Sequence, residues 1–362
     1  MINGMNINDS IHGIIRLTEY EKKILSSPEF NRLHDVYQNS TVYLTFPCNR
    51  TKRFEHSIGC MYLCSEMLYY GFLNASLEDL RKFFSVLGED IRNTFYEEIN
   101  AEKIAKIVSC LIIDEKSDLI QCSTNNDNLN NELQGLYEQI INRVGEDLIP
   151  HNIPKEYCLL YVLIIQAVRI AALLHDIGHP PFSHIVERAL YRTKKLIDGS
   201  SEKYDNRKKQ KFLKIINKLN QNHEQLHEAM GERIASDILQ ELVTNNSGGA
   251  YDDKAKDSLF EQLLQQCVCA ILAEKDNFKV LHRIVDSTVD GDRLDYVARD
   301  YRNSGINAGD LEYKRIINGL KLTYVERNES FQFLVPVKTK NTIESFLKRR
   351  FNLYKDIINH HR

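Results

Sequence analysis

Ten residues, HDIGHPPFSH, bring His175, Asp176, His179 and His184 into one short stretch. Imidazole nitrogens and carboxylate oxygens together suit Zn, Fe, Mn or Ni, so the stretch reads as a divalent metal centre whose donor types do not name the ion. On a helix, His175 and His179 at i and i+4 share one face, with Asp176 about one hundred degrees round from His175. A lone His on an apolar helix is more often a hydrogen-bonded core residue. An adjacent His-Asp pair with two further His and a helix-breaking Pro180-Pro181 favours a site instead. A zinc-protease reading fits poorly, because that HxxxH motif has Glu directly after its first His, and Asp176 stands here.

The elements that must hold these residues are mostly helical. Residues 155–178 read as one long helix whose apolar density marks it as the central buried one, ended by the two prolines. Thr18 followed by Glu21 is a capping-box pattern that opens a helix, interrupted at Pro28. TVYLTFP, at 41–47, reads as a short extended piece, and a helix is expected from Glu55 to near Gly71. Residues 76–154 have helical periodicity broken by the polar loop STNNDNLNN at 123–131, and read as an inserted helical subregion. SSEKYDNRKKQK, at 200–211, reads as a charged surface loop, while 212–242 and 257–274 read as amphipathic helices. Residues 321–338 form the one expected β-hairpin, LTYV and FQFLVPV around the turn ERNES, and a closing helix from Thr342 carries Arg349 and Arg350. The expected fold is all-α with a small β-hairpin near the C-terminus: a core of 1–75 and 155–318, the insert 76–154, and a hairpin and helix at 319–362.

Composition bounds the partners. The 362 residues include 47 Lys and Arg against 50 Asp and Glu, a net charge of −3, so neither nucleic acid nor an anionic membrane is the expected general partner. A local phosphate site remains compatible with that balance. The chain is 43% apolar and has no Trp, which suits a large helical core. No apolar run is expected to reach the roughly 18–20 residues of a membrane helix, since the run at 157–165 stops at Gln166 and soon meets Arg169. The N-terminus lacks the basic start and apolar block of a signal peptide, and a cytoplasmic location is expected. Eight Cys lie without a CxxC pair; Cys60 and Cys64, four apart, read as reduced core residues.

Several motifs occur in a fixed order: DSIHG, SPEFNRLHDVYQ, Phe46-Pro47, RFEHS around His56, HDIGHPPFSH, and VDGDRLDYVARDYRNSG around Asp292. Together they resemble the HD-domain phosphohydrolases, and more narrowly the dGTPase-like deoxynucleoside triphosphate triphosphohydrolases, outside 76–154 and part of 188–222. The resemblance implies that His56, His175, Asp176 and Asp292 hold a divalent metal, Mn, Mg, Fe or Zn, beside the α-phosphate. It implies catalytic positions for His184, Glu187 and His227, with Glu187 in place of the usual Asp, and sets His179 along the phosphate channel. An imidazole held by a carboxylate suits general acid work, because the ordinary pKa of His lies near neutral pH.

The same resemblance implies that Arg53, Arg293 and Arg350 face phosphates, that Tyr296 and Asp300 lie by the sugar, and that Gln38 reads a 3′-hydroxyl. Arg293 is often Lys in the family, Asn39-Ser40 stands for Leu-Gly, and Pro180 stands for Gly. The residue excluding a ribose 2′-hydroxyl falls near Tyr354 or Ile358. The implied reaction is hydrolysis of a dNTP at its α-phosphate to deoxynucleoside and triphosphate. HD phosphodiesterase or nuclease action on another nucleotide or single strand is an alternative, as is a nucleotide-sensing module in a larger complex. A homo-oligomer, tetramer or hexamer, is also implied. The insert at 76–154 has three open roles: covering the site, building an oligomer interface, or binding a protein partner. The sequence stops at INHHR, inside what reads as a helix that the family continues, as a truncated or minimal member would.

Overall fold

The computed structural model describes residues 5–94, 146–199, 206–219, 226–244, 254–306 and 312–359. The chain opens with an antiparallel hairpin, β1 (Met5–Asp9) and β2 (Gly13–Leu17), in register from Met5 opposite Leu17 to Asp9 opposite Gly13. Asp9 Oδ1 accepts from the amides of Ile11 and His12, and Gly13 takes φ +80°, a left-handed conformation that favours glycine. The sequence does not announce this hairpin, because Asn6, Asn8 and Asp9 are poor strand formers and crowd β1. Residues 321–338 are therefore not the one hairpin.

Helix α1 (Glu19–Leu25) starts at Thr18 with the expected capping box: Thr18 Oγ1 accepts from the Glu21 amide and Glu21 Oε2 from the Thr18 amide. Helix α2 (Pro28–Asn31) has Ser27 as N-cap and Pro28 in its first turn. The extended piece expected at 41–47 is instead a 3-10 turn, Val42–Leu44, folded by local amide bonds from Val42 to Asn39 and from Leu44 to Thr41. Among the described residues its β-branched and aromatic side chains meet no partner strand, so strand propensity goes unrealised.

Helix α3 (Arg53–Leu73) begins two residues before the expected Glu55, which puts Arg53 and His56 together in its first turn. Helix α4 (Leu77–Thr94) follows; the rest of the expected insert between 95 and 145, including the loop 123–131, lies outside the described residues. Helix α5 (Cys158–Leu174), preceded by a 3-10 turn at Lys155–Tyr157, is buried along almost its whole length, as its apolar run predicts. The segment Lys155–Leu174 does reach a membrane helix's length and apolarity, with mean hydropathy 2.1, contrary to the expectation from 157–165. Its apolar window is 89% buried inside the protein.

After α5 come α6 (His184–Gly199), α7 (Asn206–Leu219), α8 (Leu226–Thr244), α9 (Lys254–Leu272), α10 (Lys279–Val285), α11 (Gly291–Ser304) and α12 (Tyr313–Ile317). The expected charged loop at 200–211 is helical from Asn206 onward, and the helix expected at 212–242 is two, α7 and α8. The chain closes with the hairpin β3 (Lys321–Val325) and β4 (Ser330–Leu334), helix α13 (Lys340–Leu353) and a π turn at Tyr354–Ile358. The fold is thus mainly α-helical with the small C-terminal hairpin expected.

Helices α3 and α9 pack on α5, and α11 packs on α3. Buried Glu21 on α1 accepts from Gln166 and Arg169 of α5, bolting the first helix to the central one. The C-terminal hairpin docks on α4, where Phe331 meets Phe83 edge-on and the Tyr324 amide donates to Asp79. Cys60 and Cys64 are buried free thiols on α3, their sulfurs 3.9 Å apart, as core residues would be. The first turns of α3 and α11 and the C-terminal end of α5 meet at one place.

Candidate active site

Helix α5 ends at Leu174, four residues short of the expected Gly178, and 175–178 form a turn with Ile177 bonded to Leu174 and His179 to Asp176. His175 and His179 therefore do not share a helical face. The turn sends them to two different clusters.

The first cluster is His56, His175 and Asp292, whose donor atoms all lie within 4.8 Å of one another. His56 Nε2 is 3.0 Å and His175 Nε2 3.6 Å from Asp292 Oδ1, and Asp176 Oδ2 stands 3.6 Å and 3.5 Å from the same two nitrogens. Each ring's other nitrogen is engaged, His56 Nδ1 with Asp295 Oδ2 at 2.8 Å and His175 Nδ1 with the Ala172 carbonyl at 2.7 Å. Both Nε2 atoms are buried and have no aligned hydrogen-bond partner. Two orphaned ring nitrogens facing two carboxylates fit a divalent cation, with Asp176 Oδ2 shared with the Arg53 guanidinium.

The electrostatics agree. Burial disfavours charge on His56 and His175, but the facing carboxylates outweigh it, pushing His56 up to about 9 and His175 up to about 10. Burial likewise opposes the charge on Asp176 and Asp292, yet Arg53 and His175 hold Asp176 well below the usual carboxylate range, and His175 and His56 do the same for Asp292.

Asp295 had no assigned role in the sequence reading, although it stands in the DRLDY motif. Buried on α11, it accepts from His56 Nδ1, from His12 Nε2 at 2.6 Å, and from Arg299 Nε and Nη2 at 2.9 and 2.8 Å. Arg299 continues to Asp9 at 2.9 Å, and His12 Nδ1 lies 3.1 Å from the Tyr313 hydroxyl. The N-terminal hairpin thereby reaches the back of the His56 ring. A carboxylate behind a ligating His fixes its tautomer, so Asp295 aims Nε2 at the centre. The i, i+4 spacing of Asp295 and Arg299 and the DSIHG motif were the available signals.

The second cluster is His179, His184 and His227, again with donor atoms within 4.8 Å of one another. His184 opens α6 and His227 lies in the first turn of α8. Glu187 is buried between them: Oε2 is 2.8 Å from His184 Nδ1, and Oε1 accepts from both the His227 amide and Nδ1 at 2.8 Å. Burial opposes its charge, but those hydrogen bonds hold its carboxyl below the usual range. The His179 ring lies 4.0 Å from that of His227, and its Nδ1 is 3.2 Å from Asp176 Oδ1, which joins the clusters. Burial and the Arg53 charge push His179 down to about 3.

Local backbone explains the juxtaposition. A Cβ on Gly178 would collide with the His227 carbonyl oxygen and the Gly231 amide, so this glycine lets the turn lie against α8. Arg32 donates to the carbonyls of His179 and Ile177 and pins the turn from the other side. Phe182 and Ser183 just before α6 hold φ of 61° and 47°, left-handed values rare for such residues. Ser40 Oγ donates to the Phe182 carbonyl and the Arg53 guanidinium to Ser183 Oγ, bracing that corner.

The expected substrate contacts have varied surroundings. Arg53 is buried and ion-paired with Asp176. Arg293 pairs with Asp286 and Asp290, and with Arg350 it lines a polar cavity of about 360 Å³ shared with Arg283 and His282. Arg350 Nε donates to the Tyr296 hydroxyl at 2.7 Å and lies over the Tyr354 ring. The Gln38 backbone N–H donates to the Thr51 carbonyl beside α3, and its buried side-chain Oε1 has no hydrogen-bond partner among the described residues. Asp300 is buried on α11 without an aligned partner, and burial pushes its carboxyl up to about 7.

A match to the HD domain family covers residues 159–251. The uncharacterized protein MJ1154 of Methanocaldococcus jannaschii is 23% identical over 354 residues, 98% of this chain and 46% of its own length. The putative HD domain-containing protein L394 of Acanthamoeba polyphaga mimivirus is 22% identical over 97% of this chain and 53% of its own length. Deoxynucleoside triphosphate triphosphohydrolase SAMHD1 of Gallus gallus is 22% identical over 86% of this chain and 35% of its own length. The chain spans about half the length of the first two of these relatives. With the HD-domain match over residues 159–251 and the His-Asp cluster at the end of its central helix, the chain is similar to HD-superfamily hydrolases and, at low identity, to SAMHD1-type proteins.

Proposed function

We propose that the protein is a metal-dependent phosphohydrolase that cleaves a deoxynucleoside triphosphate at the α-phosphate, releasing deoxynucleoside and inorganic triphosphate. One observation carries this reading: the turn Asp176–His179 joins a centre of two imidazoles and two carboxylates to a pair of imidazoles backed by one carboxylate. His56, His175, Asp176 and Asp292 would hold the ion, which when bound supplies positive charge at the α-phosphate and lowers the pKa of water. Imidazole with carboxylate suits Mn or Fe, and also Zn, better than Mg.

The chain's own residues supply the rest. Glu187 accepts hydrogen bonds from Nδ1–H of His184 and of His227, which leaves each Nε2 free for proton chemistry. His184 has a side chain 52% exposed against 13% for His227, so His184 meets the substrate and, starting as the imidazolium, gives its Nε2 proton to the departing 5′-oxygen and keeps Nδ1–H on Glu187. The attacking water loses one proton as that oxygen gains one. Arg293 and Arg350 receive the outer phosphates through the cavity they line, while Tyr296 steadies Arg350. Arg53, already committed to Asp176, orients that carboxylate. The partnerless Gln38 oxygen accepts a sugar hydroxyl. A homo-oligomeric enzyme goes with this reading, on the strength of the family resemblance.

Incubating the purified protein with each dNTP and NTP plus Mn²⁺ or Mg²⁺, then resolving products by chromatography, tests it. Deoxynucleoside and tripolyphosphate are expected, and neither should form in His175→Ala or Asp176→Ala. Absence of both products under every metal would refute the reading; an opened phosphodiester with intact dNTPs would point to a phosphodiesterase.

A further inference from the structure

Three imidazoles converge on one side of the shared turn, and their surroundings resemble those of ligands as much as those of acids. Metal-binding histidines almost always donate the second ring N–H to a carboxylate, which fixes the tautomer and raises ligand basicity. Glu187 does this for two of the three, with both contacts at 2.8 Å. The third, His179, is more than nine-tenths buried, and its Nδ1 faces Asp176 Oδ1 at 3.2 Å without an aligned hydrogen bond, so a carboxylate backs this ring too. The donor atoms lie within 4.8 Å of one another. Nitrogens around a tetrahedral ion with bonds of about 2.0–2.1 Å stand roughly 3.4 Å apart, so the cluster has to tighten by at most about 1.4 Å. His184 is half exposed at the start of α6, so its ring has room to make that movement.

The donor set differs from that of the neighbouring centre. Both Glu187 oxygens are engaged, which leaves three nitrogens and an open fourth position. Imidazole-only sites select Zn²⁺, Co²⁺ or Ni²⁺ over Mg²⁺ and Mn²⁺, which favour oxygen.

We propose that His179, His184 and His227 form a second divalent site, selective for Zn²⁺, Co²⁺ or Ni²⁺, whose occupant blocks catalysis by taking the nitrogens that would pass a proton. The inhibition rests on the function proposed above; the binding does not. With an ion on Nε2, His184 has no proton there to give, so turnover falls by the share a general acid contributes, about a hundredfold.

Equilibrium dialysis of the full chain against Co²⁺, with metal content and visible absorption read together, tests the site. Two Co²⁺ per chain are expected, with one in His184→Ala and one in His227→Ala, and millimolar Mg²⁺ should not displace the second ion. Because His184 is half exposed, His184→Ala should melt at the wild-type temperature in chelator, which separates lost binding from lost folding. A wild type that binds one Co²⁺, lost in His175→Ala alone, would overturn this proposal and leave the first centre standing. A chain that binds none would overturn both. Two bound ions with undiminished dNTP turnover in excess Zn²⁺ would overturn the inhibitory role.

Discussion

Replacing Asp295 by Asn changes the shape of α11 little and removes one buried negative charge. That charge currently meets four donor atoms, His12 Nε2, His56 Nδ1 and two nitrogens of Arg299, all within 2.9 Å. Two separable losses follow. The first is stability: uncompensating a buried ion pair costs about 3–5 kcal/mol, and because Arg299 keeps Asp9 the expected loss is near about 3. The second is metal affinity: without its carboxylate the His56 ring loses its fixed tautomer, and such changes weaken metal binding by about 10–100-fold. Titration calorimetry with Mn²⁺ on the folded variant reads the second effect, and urea unfolding in chelator reads the first. Burial raises the Asp295 carboxyl's pKa, but the Arg299 charge and the hydrogen bonds from His12 and His56 reverse this and hold it well below the usual range. The stabilisation is therefore fully present above a pH of about 4 and is lost as pH falls through the lowered value, so the variant's deficit should shrink in strong acid. A variant that loses stability but binds Mn²⁺ like the wild type would refute the idea that Asp295 aims His56.

The raised His56 and His175, at about 9 and about 10, mean that both carry protons at neutral pH when no ion is present. Metal uptake should then release about two protons per ion, read by calorimetry in buffers of different ionisation heat, and apparent affinity should climb about a hundredfold per pH unit from 6 to 8. Fewer than one proton released would contradict the charged pair. Gly59→Ala drives a Cβ into the Asp295 carboxylate and the Arg299 guanidinium, and should destabilise the protein by about 2 kcal/mol in urea unfolding. Gly178→Ala pushes α8 and His227 away from the turn, so it should lower kcat while Mn²⁺ affinity changes little; equal losses in both would mean the two clusters are not separable.

Which side chains gather at the candidate site was largely legible in the sequence, because metal and proton chemistry demand particular side chains and few others substitute. How they are arranged was less so. The pattern HxxxH predicts one helical face, but the helix stops at Leu174, before Pro180, because the turn is held by Arg32 and by the Gly178 contact with α8, both far away in sequence. Arg53 reads as a free phosphate ligand until its pairing with Asp176 is visible. The hairpin at 5–17 eluded periodicity because its strands are short and rich in Asn and Asp, and it is held instead by the Asp9 turn and by contacts across the fold to Asp295 and Arg299. TVYLTFP failed in the opposite way, with strand-forming residues and no strand to join.

Among the described residues, the turn from Asp176 to His179 is the covalent segment that contributes side chains to both clusters. The first cluster otherwise hangs from α3, α11 and the end of α5, the second from α6 and α8. For protein engineering this amounts to two adjustable modules with a four-residue coupling. A combinatorial library over 56, 59, 292 and 295 explores ion preference while leaving the proton donors in place, and one over 184, 187 and 227 does the converse. Any change between 176 and 179 shifts both modules at once, so beneficial variants there should be scarce and strongly dependent on the rest of the sequence.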